Sequence, residues 1–288
     1  MTAQDWTDYE ILGSGGGEKL ERWKDVYLLR PDPQAIWSPE FDLKSYKKLN
    51  ARYIRSKTGG GAWERLRPMP EQWQVEWKEL TFLVKPMGFK HTGLFPEQAV
   101  NWQLMQDMIK GAGREINVLN LFGYTGGATV ACASAGAKVT HVDAAKAMVD
   151  RCRQNANLSG VAGDRIRYIV DDCAKFVSRE IKRGKRYDAV IMDPPSYGRG
   201  PNGELWKIED DLFGFMQLVK DTLSDNPLFA LVNSYTTGLQ PTVIDNLLSV
   251  TFGCIGGSHT AYEVGLKTSD KRGVVLPCGC SGLWRAGV

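Results

Sequence analysis

The sequence predicts an α/β protein: an open, mostly parallel sheet with helices on both faces, preceded by a small β-rich segment. Three observations predict it. From Asn117 onward, short apolar runs alternate with stretches of helical character, the pattern of repeated β-α-β units. Three of those runs end in acids, Asp143, Asp171-Asp172 and Asp193, at the strand ends where sheets of this kind hold ligands. The last two runs are joined by a loop with no helix in it, so those strands must be antiparallel.

Length and composition set the outer bounds. A chain of 288 residues suggests one large domain and a smaller one. The net charge of +3 neither demands nor excludes nucleic acid as a partner. No apolar run reaches the ~18 residues of a membrane span, and the first twenty residues lack the basic start and apolar stretch of a secretion signal. A cytoplasmic protein without a membrane partner is expected. Six cysteines are scattered without a C-x-x-C pair, and the three histidines do not stand at ligand spacing, so reduced thiols and no metal are expected. Oligomeric state is not legible.

Along the chain, the boundaries read as a small β-rich, basic region over 1–72, a β-hairpin and lead-in helix over 73–115, and an α/β domain over 116–288. In the first region, Tyr9 to Leu12 and Trp23 to Leu29 read as strands of a meander or hairpin, with Gly13 to Gly17 between them and Pro31 and Pro33 ending the second. Residues 41–70 are basic. Lys44, Lys47, Lys48, Arg52, Arg55, Lys57, Arg65 and Arg67 stand against Asp42 and Glu64, with Tyr46, Tyr53 and Trp63 interleaved and a loop at Gly59 to Gly61. Cations can track phosphates while rings stack on bases, so Lys47, Lys48, Arg52 and Arg55 are candidate RNA contacts; a solvated, mobile surface stretch is the alternative. Alternation over Trp73–Trp77, Leu80–Val84 and Met87–Phe95 predicts paired strands leading to a helix from Pro96 to Lys110.

In the α/β part, strands are expected at Val118–Phe122, Val139–Val142, Ile166–Val170, Tyr187–Met192 and Leu228–Ser234, and a closing pair at Ala261–Val264 and Val274–Pro277. Helices are expected at Ala128–Ala137, Ala144–Leu158, Cys173–Arg183, Ile208–Leu223 and Pro241–Val250. The stretch Asn117–Asp143 organises the rest. A buried strand runs into the turn Gly123-Tyr124-Thr125-Gly126-Gly127, then a helix of small residues, then a second strand ending at Asp143. Glycines let a ligand approach the backbone, the helix N-terminus offers free N–H groups, and the acid can bind a ribose diol. The turn does not fit the G-x-G-x-x-G dinucleotide fingerprint, although Asp143 falls about 20 residues after the first glycine, where a ribose ligand wants it. After the fourth strand, Asp193-Pro194-Pro195-Ser196-Tyr197 offers a stiff set of acceptors. Those suit an amino group, holding its N–H while the lone pair is aimed, and Tyr197 could stack on a base. The loop Gly198 to Gly203, with Arg199, Trp206 and Lys207, reads as a lid, a phosphate grip or a flexible connector.

The strings NLFGYTGGATVACASAGA, HVDAAKAMVDRCRQNANLSG, YIVDDCAKF and DAVIMDPPSYGRG resemble the class I S-adenosylmethionine-dependent methyltransferases. Among these, the chain looks like the bacterial ribosomal-RNA methyltransferases that modify cytosine C5 or guanine N7 of the large subunit. The resemblance covers about residues 73–288. It implies a Rossmann-like seven-stranded sheet with an antiparallel last strand, and S-adenosyl-L-methionine as cofactor. It implies a cofactor site of Phe122, Gly123, Tyr124, Thr125, Gly126, Gly127, Asp143, Ala144, Asp172, Cys173 and Asp193, with Asp172 and the Cys173 amide at the adenine. The stretch Gly88–Gln98 resembles the segment that closes over the cofactor in that family, which adds Phe95. Asp193, Pro194, Pro195 and Tyr197 are the implied catalytic group.

Two departures qualify the resemblance. The cytosine-C5 members use a cysteine after the fifth strand, and here that region reads Leu231-Val232-Asn233-Ser234-Tyr235-Thr236-Thr237. Carbon methylation at C5 needs a covalent adduct, so transfer to nitrogen, or less readily oxygen, is expected. The N-terminal region also does not match the RNA-binding module that many relatives carry, and the basic aromatic segment at 41–67 is the candidate substitute. The sequence therefore predicts an RNA methyltransferase, with ribosomal RNA as the expected partner. It leaves open a methyltransferase of proteins or small molecules and a non-catalytic S-adenosylmethionine-binding RNA-interaction protein, and it disfavours a nicotinamide oxidoreductase.

Overall fold

A computed structural model describes residues 1–56, 60–199 and 205–287. The chain divides into two compact units, Met1–Val100 with Val264–Cys278, and Asn101–Glu263 with Gly279–Val288.

The first unit carries a five-stranded sheet of β1 (Tyr9–Gly15), β2 (Glu18–Trp23), β3 (Val26–Pro31), β4 (Ala51–Arg55) and β5 (Gly61–Arg65), in that spatial order. The first three form an antiparallel meander. The run expected as one strand from Trp23 to Leu29 is split, because Lys24 takes a left-handed backbone (φ 59°) and the chain folds back so that Trp23 pairs with Val26. Leu20, Leu29, Leu43 and Leu49 form a small core. Beside it Glu21, fully buried, accepts from Tyr9 Oη at 2.7 Å and from Arg30 Nη2 at 2.6 Å. That guanidinium holds the Glu21 carboxyl down to about 2 against the upward push of burial.

The basic stretch carries two strands that the sequence did not announce: β4 pairs parallel with β3 and antiparallel with β5. Register decides this, since Ala51 and Tyr53 face inward while Arg52 and Arg55 point outward or lie at the rim. A hairpin of β6 (Trp73–Trp77) and β7 (Leu80–Val84) follows as expected, but the third run does not continue it. Residues 88–90 form a 3-10 turn, and the helix begins as a 3-10 turn at Pro96–Gln98 before α1 (Ala99–Gly111).

The second unit is built on β8 (Asn117–Leu121), α2 (Gly127–Ser134), β9 (Lys138–Asp143), α3 (Lys146–Leu158), β10 (Ile166–Val170), α4 (Cys173–Lys182) and β11 (Ala189–Met192). It continues with a two-stranded hairpin of β12 (Tyr197–Arg199) and β13 (Leu205–Lys207), then α5 (Ile208–Lys220), β14 (Phe229–Ser234), α6 (Pro241–Phe252), β15 (Ser258–Lys267) and β16 (Val275–Arg285). The seven-stranded sheet has the order β10-β9-β8-β11-β14-β16-β15, with β16 antiparallel to β14. The Rossmann-like sheet with an antiparallel last strand is therefore present. The closing strands are longer than their sequence signal: Val274–Pro277 contributes no pairing to β14, which is bonded instead by Cys280–Arg285. Glycines at 279 and 282 masked that segment in the sequence, and both are required, since a Cβ at Gly282 would press on Ile244 and Leu248. Among the described residues no helix is long and apolar enough to cross a membrane, and no cluster of three or more ligating side chains could hold a metal.

Candidate active site at the strand ends

Parallel register brings the predicted residues to one edge. Leu121 pairs with Val142 and Met192, and Val170 with Asp143, so the residues that follow β8, β9, β10 and β11 leave the sheet side by side. Between β8 and α2 the backbone is strained. Phe122 (φ 55°), Tyr124 (φ 49°) and Gly126 (φ 86°) are all left-handed, and two of the three carry side chains. Such positions persist only where the surroundings over-determine them, and they gather at ligand sites.

Several bonds fix this turn. Tyr124 N–H donates to Asp143 Oδ2 at 2.8 Å and Ala145 N–H to Oδ1 at 2.8 Å. Gly123 N–H donates to the Val142 carbonyl at 3.0 Å, Asn155 Nδ2 to the Thr125 carbonyl at 2.9 Å, and Phe122 N–H to Cys173 Sγ at 3.3 Å. Burial raises the Asp143 carboxyl above the ordinary range, and the Ala145 and Tyr124 amides oppose that. A carboxylate has about four acceptor positions, so two on Asp143 remain for a diol.

The glycines serve packing. A Cβ at Gly123 would stand closer than 3.0 Å to the His141 ring, one at Gly126 would run into Cys152, and one at Gly127 would lie 2.6 Å from the Trp102 ring. Their inner side is therefore constrained by neighbouring side chains. Beneath them lies a buried polar chain that the sequence did not announce: Asn120 Nδ2 donates to Thr129 Oγ1 at 2.7 Å, and Thr129 Oγ1 bonds His141 Nδ1 at 2.8 Å. Burial pushes the His141 imidazole down to about 4, so it is neutral at physiological pH. Its signal was a histidine inside an apolar strand.

Other predicted residues have local duties. Asp172 caps α4, its Oδ1 accepting from Lys175 N–H at 2.8 Å, and Asp171 pairs with Arg179. The Cys173 thiol is buried with its pKa raised by burial. Asp193 follows β11, its N–H donating to the Leu121 carbonyl at 3.3 Å. The Pro195 carbonyl accepts from Trp206 Nε1 at 2.7 Å, so of the expected acceptors it is already engaged. Trp206 also joins Phe122 and Phe215 in a ring cluster with centroids 5.4 to 5.6 Å apart. Tyr197 and Ala144 are exposed. Phe95 belongs to the first unit, its ring 5.5 Å from that of His91. Lys47, Lys48 and Arg55 are exposed, Lys48 lies 5.6 Å over the Tyr27 ring, and Arg52 pairs with Glu64. The side chain of Arg199, together with Lys57, Thr58 and the 200–204 part of the expected lid, lies outside the described residues.

One cysteine does stand near the end of β14. Cys280, on β16, is paired with Ser234. It is buried, its Sγ donates to the Leu239 carbonyl at 3.2 Å, and burial with the charge of Glu263 raises its pKa to about 11.

A seven-stranded sheet of this order, with a strained turn after its first strand and an acid after its second, defines a nucleoside-cofactor α/β protein. The family described as S-adenosylmethionine-dependent methyltransferase matches residues 41–228, and the chain belongs to it. A crystal structure of the SAM-dependent methyltransferase from Agrobacterium tumefaciens is similar at 32% identity and TM-score 0.94, covering 100% of this chain and 93% of that one. A putative SAM-dependent methyltransferase from Streptococcus mutans shares the fold at TM-score 0.73 and 19% identity, over 98% of this chain and 76% of that one. Among curated proteins, the chain is 28% identical over 192 residues to the ribosomal RNA large subunit methyltransferase K/L of Shewanella frigidimarina, and 27% identical over 189 residues to that of Syntrophotalea carbinolica. Those matches cover 66% and 65% of this chain but 25% and 26% of the relatives, so the chain spans about a quarter of their length. The residues present fit S-adenosylmethionine, because the half-buried Asp143 keeps acceptor capacity beside a backbone turn held in a conformation the chain would not adopt unaided.

Proposed function

We propose that this chain transfers a methyl group from S-adenosylmethionine to a base nitrogen of RNA, with ribosomal RNA as the substrate. The cofactor, when bound, supplies an electrophilic methyl group on a sulfonium. Asp143 accepts from the ribose hydroxyls, and the 122–127 turn and Ala144 line the same edge. The second oxygen of Asp172 and the Cys173 amide serve the adenine. The Asp193 carboxylate and the Pro194 carbonyl hold the N–H of the accepting base, with Tyr197 as its stacking partner. Lys47, Lys48 and Arg55 serve the phosphates, and Arg52 joins them only by leaving Glu64.

The observation that carries nitrogen over carbon is the state of the thiols. Carbon methylation at C5 requires a thiolate. The cysteine beside the end of β14 is a buried thiol with a raised pKa, bonded to a carbonyl. RNA as substrate is supported by the names of the curated relatives and by the exposed cations Lys47, Lys48 and Arg55. The test compares nucleosides of ribosomal RNA from cells with and without the protein by mass spectrometry. A methylated nucleoside lost without the gene and restored by wild type and Cys280→Ser, but not by Asp193→Ala, is expected. Loss of activity in Cys280→Ser, with S-adenosylhomocysteine binding intact, would refute the nitrogen reading.

A further inference from the structure

The first unit holds a turn that the transfer chemistry leaves unused. Phe89 (φ 54°) and Lys90 (φ 67°) are consecutive side-chain-bearing residues in the left-handed region, where Cβ crowds the carbonyl. The result is an aromatic ring held in water: Phe89 is 72% exposed. Three side-chain bonds pin the turn. Arg30 Nη1 donates to the Lys90 carbonyl at 3.0 Å, Lys90 Nζ to the Pro31 carbonyl at 2.9 Å, and Trp63 Nε1 to the Met87 carbonyl at 2.7 Å. The backbone closes on itself through Met87 N–H to the His91 carbonyl at 2.8 Å. Strain, anchoring and exposure of a large apolar ring run against folding economy, and packing does not account for them.

The charges around the turn are unbalanced. Arg30 is paired with Glu21, and Lys19 with Asp32 at 3.2 Å. Lys90 and the exposed Arg55 add two further cations. Burial, with Lys19 of β2, Arg30 of β3 and Arg55 of β4 facing it, lowers the Lys90 ammonium to about 8, and Asp32 is the opposing acid. His91 beside it is held neutral, at about 4, by burial and by Arg30, Lys90 and Lys19. A site with crowded cations next to an exposed ring is complementary to a phosphate next to a base.

Resting on the RNA reading, we propose that the 87–91 turn and the end of β4 at Arg55 form a binding site for single-stranded RNA, in which Phe89 stacks on an unpaired base and Arg55 and Lys90 take the adjoining phosphate. Stacking is tolerant of base identity, so the site secures an unpaired stretch without reading its sequence. A phosphate beside Lys90 raises its pKa, so binding takes up a proton near pH 8 and weakens as pH rises from 7 to 9.

The test uses the full chain and a fluorescein-labelled single-stranded adenylate oligomer of about 12 nucleotides, with a duplex of equal length as control. S-adenosylhomocysteine calorimetry reports on the other unit. Phe89→Gly is expected to weaken single-strand binding about tenfold while raising the melting temperature, since glycine relieves the left-handed strain. Phe89→Trp is expected to keep the affinity and show indole quenching on binding. Arg55→Glu is expected to weaken binding and reduce the slope against log salt by about one or more. S-adenosylhomocysteine affinity stays at wild-type level throughout. Wild-type RNA binding that Phe89→Gly leaves unchanged, or a melting temperature lowered by Phe89→Gly, overturns this site and leaves the RNA reading standing. No RNA binding by the wild type, with S-adenosylhomocysteine bound normally, overturns both. Retention of single-strand affinity alongside loss of a protein contact would mark the ring as a protein-docking residue and also overturn the proposal.

Discussion

Gly123→Ala tests whether the turn after β8 is shaped from below by His141. The new Cβ would stand closer than 3.0 Å to the imidazole. The ring cannot swing aside freely, because Nδ1 is bonded to Thr129 Oγ1 at 2.8 Å and Thr129 to Asn120 at 2.7 Å. Overpacking costs about 1–3 kcal/mol, and disturbing one buried hydrogen bond adds about 1 kcal/mol, so a loss of about 2–4 kcal/mol is expected. At about 2–4 °C per kcal/mol for a domain of this size, the second unit should melt about 4–16 °C lower. Gly136→Ala is a comparison at a glycine that meets nothing within 4 Å, where only the strain of its own left-handed backbone (φ 101°), about 1–2 kcal/mol, applies. His141→Ala removes the obstacle at its own cavity cost. In the double mutant the clash is gone, and a coupling energy of about 1–3 kcal/mol is expected. Urea denaturation of the four variants gives the cycle, and calorimetry with S-adenosylhomocysteine reports whether the turn has moved. Additivity within about 0.5 kcal/mol, or a Gly123→Ala protein as stable as wild type, would refute the reasoning.

Further expectations concern the acids and the buried histidine. Asp143→Ala leaves the Tyr124 and Ala145 amides without their acceptor, so it should both destabilise the unit by about 1–3 kcal/mol and abolish S-adenosylhomocysteine binding; calorimetry showing wild-type affinity would remove Asp143 from the cofactor site. In the wild type, the same binding should fade on acidification at a higher pH than an ordinary aspartate would give, because burial raises that carboxyl and the diol needs its ionised form. Asp172→Ser keeps the helix cap while Asp172→Ala loses it, at about 1 kcal/mol; equal cofactor affinity in Asp172→Ser and wild type would confine Asp172 to capping. His141, with its folded pKa lowered to about 4, takes up its proton in the unfolded chain first. Stability should therefore fall as pH drops from about 6.5 towards 4, by a total of about 3 kcal/mol, and His141→Gln should flatten that slope in denaturation curves.

Much of the α/β unit was legible because each element carried its own signal. β10 begins and ends where its β-branched run does, and Pro241 marks the start of α6. The signal failed where it depended on neighbours. The strand that pairs with β14 was hidden by Gly279 and Gly282, which pack against Tyr235 and against α6, and the strands within 41–70 were hidden because the outward cations there outnumber the inward Ala51 and Tyr53. The 87–91 turn kept an alternating pattern while adopting left-handed backbone, which pattern alone does not register.

The sequence by itself determined the family, the order of the strands and helices that build the seven-stranded sheet, and the edge where the acids Asp143, Asp172 and Asp193 emerge, because periodicity and strand-end chemistry are local properties. Tertiary structure decided what the residues at that edge do. It turned the glycines at 123, 126 and 127 towards His141, Cys152 and Trp102, engaged the Pro195 carbonyl with Trp206, and put Cys280 beside Ser234. Each of these pairs residues more than ten positions apart, and such contacts follow from register between strands and from the volume left between helices, neither of which a single stretch of chain records.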